Sequence, residues 1–405
     1  MSTISSITAA KQGTHTPHGP PLPQLRKHGA RLLALDGGGV KGVSSALILD
    51  EIMTRVKRIE LQNSISISQA DRKPVDYFDI AAGTSTGGLI CLMLFRLRMS
   101  VPSCRDCYHS LAKHIFAPRF MNSEMLGKIF GKLGLMLNII LKSAEFAAKP
   151  LEDAIRDVVG KYSRAGDPDQ DYLVHPESGI MFMCATLKDK GECVLMRSYI
   201  QPSDAVPYSS VVKQASAGGG DDTPINNIPI VTAARATSAA PVYLPEERWV
   251  PARGADAINF WDGGVLNNNP IEQLWGARYD LVDVKSPPPP VSVVLSLGCG
   301  WAVPAKPHFL FRIFGIMTTF SQSYMANTEA KHRDFWRLTE RMKERGDQNN
   351  DIRYFRFNVP TGGQKFNMAD PKIIEPLEKL TRDYMARPEI SRELDEVAAL
   401  LASRD

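Results

Sequence analysis

Residues 31–60 read RLLALDGGGVKGVSSALILDEIMTRVKRIE, and residues 77–98 read YFDIAAGTSTGGLICLMLFRLR. In the first stretch a short apolar run, Arg31 to Leu35, stops at Asp36. A glycine-rich turn follows. Apolar residues then recur at helical spacing from Val43 to Glu60, at Val43, Leu47, Ile48, Ile52 and Val56. The second stretch repeats the pattern. Tyr77 to Ala82 predicts a buried strand, Gly83 to Gly87 a sharp turn, and Gly88 to Arg98 a buried helix. Two strand–turn–helix units within the first hundred residues predict an α/β fold, a mostly parallel sheet flanked by helices.

Outward from these units, strands are expected at Ile180 to Ala185, Cys193 to Tyr199, Ala257 to Trp261, Val291 to Leu297 and Ile352 to Val359. Helices are expected at Leu151 to Val159, Ile230 to Thr237, Ile271 to Tyr279 and Pro371 to Arg387. Loops are marked by Ala215 to Asn227 and by the prolines Pro287 to Pro290. No internal repeat and no sharp shift in composition follows residue 30, so one large α/β unit fits better than two domains.

The chain has 405 residues, 43% hydrophobic and 23% charged, which excludes collagen-like, coiled-coil and wholly disordered classes. A net charge of +4 is too mild to argue for a nucleic-acid partner, and none is expected. No stretch reaches the roughly 20 apolar residues of a membrane-spanning helix. The first residues, rich in Ser, Thr and Pro, lack the apolar core of a secretory signal and read as a disordered tail over 1–29. Six cysteines are too few for a disulfide scaffold. Reduced thiols and a cytosolic protein are expected, and the single C-x-x-C at Cys104 and Cys107 reads as two ordinary thiols.

Gly37-Gly38-Gly39-Val40-Lys41-Gly42 matches G-x-G-x-x-G between a strand and a helix. Three readings are open: a dinucleotide fingerprint, an oxyanion hole built from exposed N–H groups, or a tight turn using glycine for positive φ. Asp36 would crowd a pyrophosphate, and the expected ribose acid would fall near Gln62 in a polar stretch. Both points favour the oxyanion hole over a dinucleotide.

Gly83-Thr84-Ser85-Thr86-Gly87 is G-x-S-x-G, placed between an apolar strand and an apolar helix where a nucleophile elbow needs it. Gly83 and Gly87 would let strand and helix pass closely, leaving Ser85 exposed at the sheet edge. A serine needs a base. Asp262, followed by Gly263 and Gly264, ends the strand AINFW, the place where a ligand is met in an open α/β sheet. An Asp-Gly turn explains the same residues equally well. His308 would complete a Ser–Asp–His order with Ser85 and Asp262. His332, His109 and His114 read as surface or core residues, and His15, His18 and His28 fall in the tail.

LDGGGVKG, GTSTGG, ARATSAAPVYL (Ala234 to Leu244) and WDGG, in that order, resemble the patatin-like phospholipase family, with calcium-independent phospholipases A2 among its members. The resemblance runs from about Arg31 to Gly300, about two-thirds of the chain. It implies a three-layer patatin-like fold over 30–300 with a more helical extension, 301–405, packed on it. It also implies a Ser–Asp dyad, with Ser85 the nucleophile and Asp262 the base, and an oxyanion hole of the backbone N–H groups of Gly37, Gly38, Gly39 and Lys41. Gly42, Gly83, Gly87, Gly263 and Gly264 would shape the two turns, and His308 would have no role. The implied reaction is hydrolysis of fatty-acyl esters of phospholipids, galactolipids or glycerides through an acyl-enzyme, without metal or cofactor. With no histidine, Asp262 must be partly desolvated to act as base. Acyl transfer to an alcohol or amine, or a silent binding protein on the same fold, are the alternatives.

A lipid substrate, met at a membrane or micelle surface, needs an apolar route to the serine. Met125 to Leu141 and Phe309 to Phe320 are apolar enough to form a cap or a helix on the membrane surface. The glycines Gly127, Gly131 and Gly134 weaken the first as an isolated helix, and packing into the core is the favoured reading of both.

Overall fold

The apolar run that stops at Asp36 forms strand β1 (Ala30–Leu35), inside an eight-stranded sheet. The computed structural model describes residues 20–21, 29–63, 72–115, 146–163, 166–201, 228–241, 243–251, 254–282, 286–287, 289–301, 315–345, 352–362 and 369–403. The stretches 125–141 and 309–314, the loop 215–227, and His15, His18, His28 and His308 lie outside them, as do the side chains of His114 and of residues 315–327.

After β1 come α1 (Gly42–Gln62), β2 (Ile80–Thr84), α2 (Thr86–Cys91), α3 (Val101–Ile115) and α4 (Ala148–Tyr162). The hairpin β3 (Met181–Leu187) and β4 (Glu192–Arg197) follows, then α5 (Ile230–Thr237), β5 (Glu247–Trp249) and β6 (Ile258–Asp262). Next are α6 (Gly264–Asn267), α7 (Ile271–Ala277), β7 (Val291–Leu297), α8 (Gly315–Glu344) and β8 (Arg353–Phe357). Two helices, α9 (Ile374–Met385) and α10 (Pro388–Ala402), end the described chain.

Strand order is β5-β6-β3-β2-β1-β7-β8, with β4 on the free edge of β3. The pairs from β3 through β2, β1 and β7 to β8 are parallel, and β4, β5 and β6 pair antiparallel. Both faces are covered, as a parallel sheet requires. Leu33 and Leu35 of β1 face one core with α1 and α2, while Leu32 and Ala34 face the other with Ile271 and Leu274 of α7 and Phe335 of α8. The sheet is thus the middle of three layers.

One detail of the register brings two distant segments together. β4 occupies one edge of β3 along its length. On the other edge β2 runs parallel to residues 181–184 and ends with Thr84 opposite Cys184. β6 arrives antiparallel along 185–187 and ends with Asp262 opposite Ala185. The carboxyl ends of β2 and β6 therefore meet head to head.

Several elements start or stop elsewhere than the sequence suggests. Tyr77 and Phe78 do not open β2, because Pro74–Asp76 winds a 3-10 turn just before them. The elbow helix begins at Thr86 and loosens to a π-turn over Leu92–Arg96. The helices α3 and α10, the short helix α6 and strand β5 are not anticipated by the sequence, and α8 is anticipated only in part, around His332, which looks helical and surface-exposed in the sequence, and at Phe309 to Phe320. The described residues beyond 300 join the same body: β8 extends the sheet, and α9 and α10 pack on α1, where Ser44 meets Thr381 at 2.9 Å and Arg55 bonds Asp395 at 2.8 Å.

Candidate active site

Ser85 lies between β2 and α2 at φ 52, ψ −124, a backbone conformation a side-chain-bearing residue adopts only when its surroundings impose it. Two bonds impose it here. The Ser85 N–H donates to Thr237 Oγ1 at 2.9 Å, and Thr84 Oγ1 donates to the Asn267 carbonyl at 2.7 Å. Thr237 in turn donates to the Cys184 carbonyl at 2.7 Å, so the elbow is tied to β3 through α5.

The head-to-head meeting of β2 and β6 sets Ser85 against Asp262. Ser85 Oγ donates to Asp262 Oδ2 at 2.6 Å, while Oδ1 accepts the Gly264 N–H at 2.6 Å. Asp262 is 1% exposed. Its backbone is fixed too: its N–H donates to Ala239 and its carbonyl accepts from Thr186 Oγ1. Gly263 packs so closely on Cys184 that an added Cβ would lie 2.2 Å from the Cys184 carbonyl oxygen.

The glycine turn lies beside the serine. A Cβ on Gly37 would fall 3.1 Å from Ser85 Cβ and 2.4 Å from Asn268 Oδ1. The Gly37 N–H donates to the Asn268 carbonyl and the Lys41 N–H to the Gly38 carbonyl. Those two amides are engaged within the protein. The N–H groups of Gly38 and Gly39 have no acceptor among the described residues. The Gly39 carbonyl is clamped by the hydroxyls of Thr86 and Tyr108, which fixes the turn against α2 and α3. Lys41 is buried, and burial lowers its ammonium pKa.

Thr237 and Asn268 escaped the sequence reading, although both lie in or beside stretches it singled out. Replacing Thr237 by Val keeps the shape but leaves the Ser85 N–H and the Cys184 carbonyl without their partner. We expect Thr237→Val to cost about 2 kcal/mol of stability and to slow any reaction of Ser85 roughly tenfold. Thr237→Ser should restore most of both. Urea unfolding and labelling kinetics check this, and equal behaviour of Val and Ser would count against it.

Beneath Thr237, buried Arg235 faces Glu152 of α4 at 3.4 Å and Glu247 of β5 at 3.7 Å. Burial pushes the Glu247 carboxyl up to about 7 from its ordinary 4.5, against the pull of Arg235 and with the push of Glu152. A folded-state value above the unfolded one favours folding below pH 4.5, and the advantage is lost as pH rises through about 7. Glu247→Gln cannot ionise. It should therefore gain on wild type by at most about 3 kcal/mol between pH 4.5 and 7.5. Denaturant midpoints at the two pH values test this, and a pH-independent difference would refute it.

Of the other residues noted in the sequence, His332 bonds the Tyr354 hydroxyl at 2.9 Å and His109 faces Glu378 at 3.0 Å, neither beside Ser85. Cys104 is buried and Cys107 half-buried on α3, both free thiols. Among the described residues no group of three or more His, Cys, Asp or Glu is arranged to hold a metal ion, and no helix is long and apolar enough to cross a membrane.

A family model described as Patatin-like phospholipase matches residues 33–275. Phospholipase A I of Arabidopsis thaliana is 24% identical over an alignment covering 92% of this chain and 28% of that protein. Patatin-like phospholipase 1 of Plasmodium falciparum (isolate NF54) is 26% identical, covering 92% of this chain and 49% of its own length. The chain thus spans half or less of the length of these two relatives. Among solved structures, VipD from Legionella pneumophila overlays at a TM-score of 0.32 and 12% identity, over 87% of this chain and 67% of that one.

Proposed function

This chain belongs to the patatin-like phospholipase family, and we propose that it is a serine lipid acyl hydrolase working through a Ser85–Asp262 dyad. The observation that supports this most is the 2.6 Å hydrogen bond from Ser85 Oγ to a buried carboxylate, made on a strained elbow.

In this reading Ser85 Oγ attacks the acyl carbonyl carbon while its proton passes to Asp262 Oδ2. Gly264 holds Oδ1, so only Oδ2 faces the serine. Negative charge builds on the carbonyl oxygen and is met by the N–H groups of Gly38 and Gly39, which have no acceptor among the described residues. Gly37 and Lys41 shape the turn instead of donating to the substrate. The alcohol or lysolipid leaves with the proton from Asp262. Water, losing its proton to Asp262, then attacks the acyl-Ser85 ester, releasing the fatty acid and restoring the serine.

The substrate class is a fatty-acyl ester of a phospholipid, galactolipid or glyceride at a lipid–water surface, and the setting is a cytoplasmic protein that attaches to membrane peripherally. Residues 30–300 carry the dyad and the glycine turn, and the described part of 301–405 adds a strand to the same sheet and helices on α1.

The test is direct. Protein treated with a fluorophosphonate should gain one adduct by intact mass, mapping to the peptide that carries Ser85. Incubated with phosphatidylcholine vesicles, it should release free fatty acid and lysolipid together. Absence of the adduct both in detergent and with vesicles sinks the hydrolase reading.

A further inference from the structure

Asp36 is the first residue after β1 and the first of the glycine turn. It is 1% exposed and lines a small cavity with Gly37 and Gly38, residues of the turn where, on the proposed function, an oxyanion forms. A bare carboxylate there would oppose the reaction. Arg356 answers it. This arginine comes from β8, beyond the region the family model matches.

Arg356 is nearly as buried as its partner, and its Nη2 donates to Asp36 Oδ2 at 2.6 Å. Nη1 donates to Ser296 Oγ on β7 at 2.9 Å. Nη2 also reaches Glu329 of α8 at 3.2 Å, and Glu329 accepts from Asn358 Nδ2 at 2.7 Å. Asn358 Oδ1 then accepts the Gly300 N–H at 2.8 Å. The backbone of Asp36 is held from the same side: its N–H donates to the Leu297 carbonyl and its carbonyl accepts from the Cys299 thiol. Asp36, Gly38, Lys41, Glu329 and Asn358 line one small cavity behind the turn. The network thus borders the same cavity as Gly38 of the turn.

We propose that Arg356 is a positioning residue for the hydrolase reaction: it neutralises Asp36 and fixes the turn so that the Gly38 and Gly39 amides stand ready for negative charge. The inference rests on the hydrolase reading of Ser85. It makes β8 and α8, outside the family match, part of what the reaction needs.

Charge compensation and mere packing differ in their pH signature. Burial pushes the Asp36 carboxyl up to about 6 even beside Arg356. Without the guanidinium it rises further. The charged and titratable groups around it are Arg356 and Tyr354 of β8, Glu329 and His332 of α8, Cys299 after β7 and Lys41 of the turn. Cys299 is pushed up to about 11 and stays neutral over the range tested.

The experiment measures kcat and KM on a soluble p-nitrophenyl ester from pH 6 to 9, for wild type, Arg356→Gln, Arg356→Lys, Glu329→Gln and the double variant Asp36→Asn/Arg356→Gln. Arg356→Gln should lower kcat about 10- to 100-fold at pH 9 with KM within about threefold. The loss should shrink toward pH 6 as Asp36 takes up a proton. Arg356→Lys should recover part of kcat, and the double variant, which buries no charge, should exceed Arg356→Gln. If Arg356→Gln does not fold, the double variant and Glu329→Gln carry the test: the double should lose less than tenfold in kcat, and the loss in Glu329→Gln should stay below threefold, since removing that carboxylate leaves Arg356 to Asp36. A loss in Arg356→Gln that is constant with pH, a KM effect instead of kcat, or, where that variant does not fold, a double variant slower than these bounds overturns the inference while the hydrolase reading stands. A wild type that neither turns over the ester nor labels at Ser85 overturns both.

Discussion

Asp262→Asn should lower kcat on a soluble ester about 10³- to 10⁴-fold with KM nearly unchanged. Asparagine has the shape of aspartate, and its amide oxygen can still accept the Gly264 N–H, now bonded to Oδ1 at 2.6 Å. Its NH₂ then faces Ser85 Oγ. The serine loses its acceptor and meets a donor that cannot take a proton. Ser85→Ala should remove the remaining turnover above background. The double variant should be no slower than Ser85→Ala alone, because a nucleophile and its base act as one unit. The decisive comparison is kinetic, on variants whose circular dichroism and urea midpoints show an intact fold. A loss under tenfold in Asp262→Asn would mean that the carboxylate only orients the serine, and the base would have to be sought elsewhere.

The pairing of these two residues was half legible in the sequence. Ser85 announces itself because its signal is local: an apolar strand, a G-x-S-x-G turn and an apolar helix lie within about twenty residues. Asp262 carries no such local mark. An Asp-Gly pair after a strand is also an ordinary turn, and it took the resemblance of four motifs in order to favour a base. What sets Asp262 against Ser85 is the register on β3, where β2 and β6 share one edge and end at neighbouring residues, Cys184 and Ala185. That is a contact across 177 positions, invisible to periodicity.

The glycine turn shows the same limit. Its place between β1 and α1 is readable, but not which amides are free. Gly37 is engaged because Asn268 arrives from the end of α6, and Lys41 because the turn closes on Gly38. The partner of Asp36 is more distant still, 320 positions away on β8. The reading placed a strand at Ile352 to Val359 yet could not say that it lies next to β7 with Arg356 facing the turn. The long helices it omitted, α3 and α10, are amphipathic segments outside the signature motifs. They show no glycine punctuation of the kind that made the first two units plain.

Gly87→Ala tests how tightly the two turns are locked together. Ala is a better helix former than Gly, so propensity alone predicts a gain near the start of α2. Packing predicts the opposite. A Cβ at residue 87 would lie 2.2 Å from the Leu35 carbonyl oxygen and 2.5 Å from that of Asp36. Both are backbone atoms inside the sheet or at its end, and neither can swing aside as a side chain would. To admit the methyl, α2 must move off β1 by about 1 Å, carrying Ser85 away from the glycine turn. We expect a loss of about 3 kcal/mol, the upper end for overpacking, and about a 100-fold fall in the rate of Ser85 labelling in the folded fraction. Gly191→Ala is the control. Gly191, in the β3–β4 hairpin at φ +63, has nothing within 4 Å of its would-be Cβ. That change should cost only the left-handed backbone penalty of about 1 kcal/mol and leave labelling at the wild-type rate. If Gly87→Ala proves as mild as Gly191→Ala, the contact between α2 and β1 is softer than its geometry says. The strained serine would then not depend on that contact for its position.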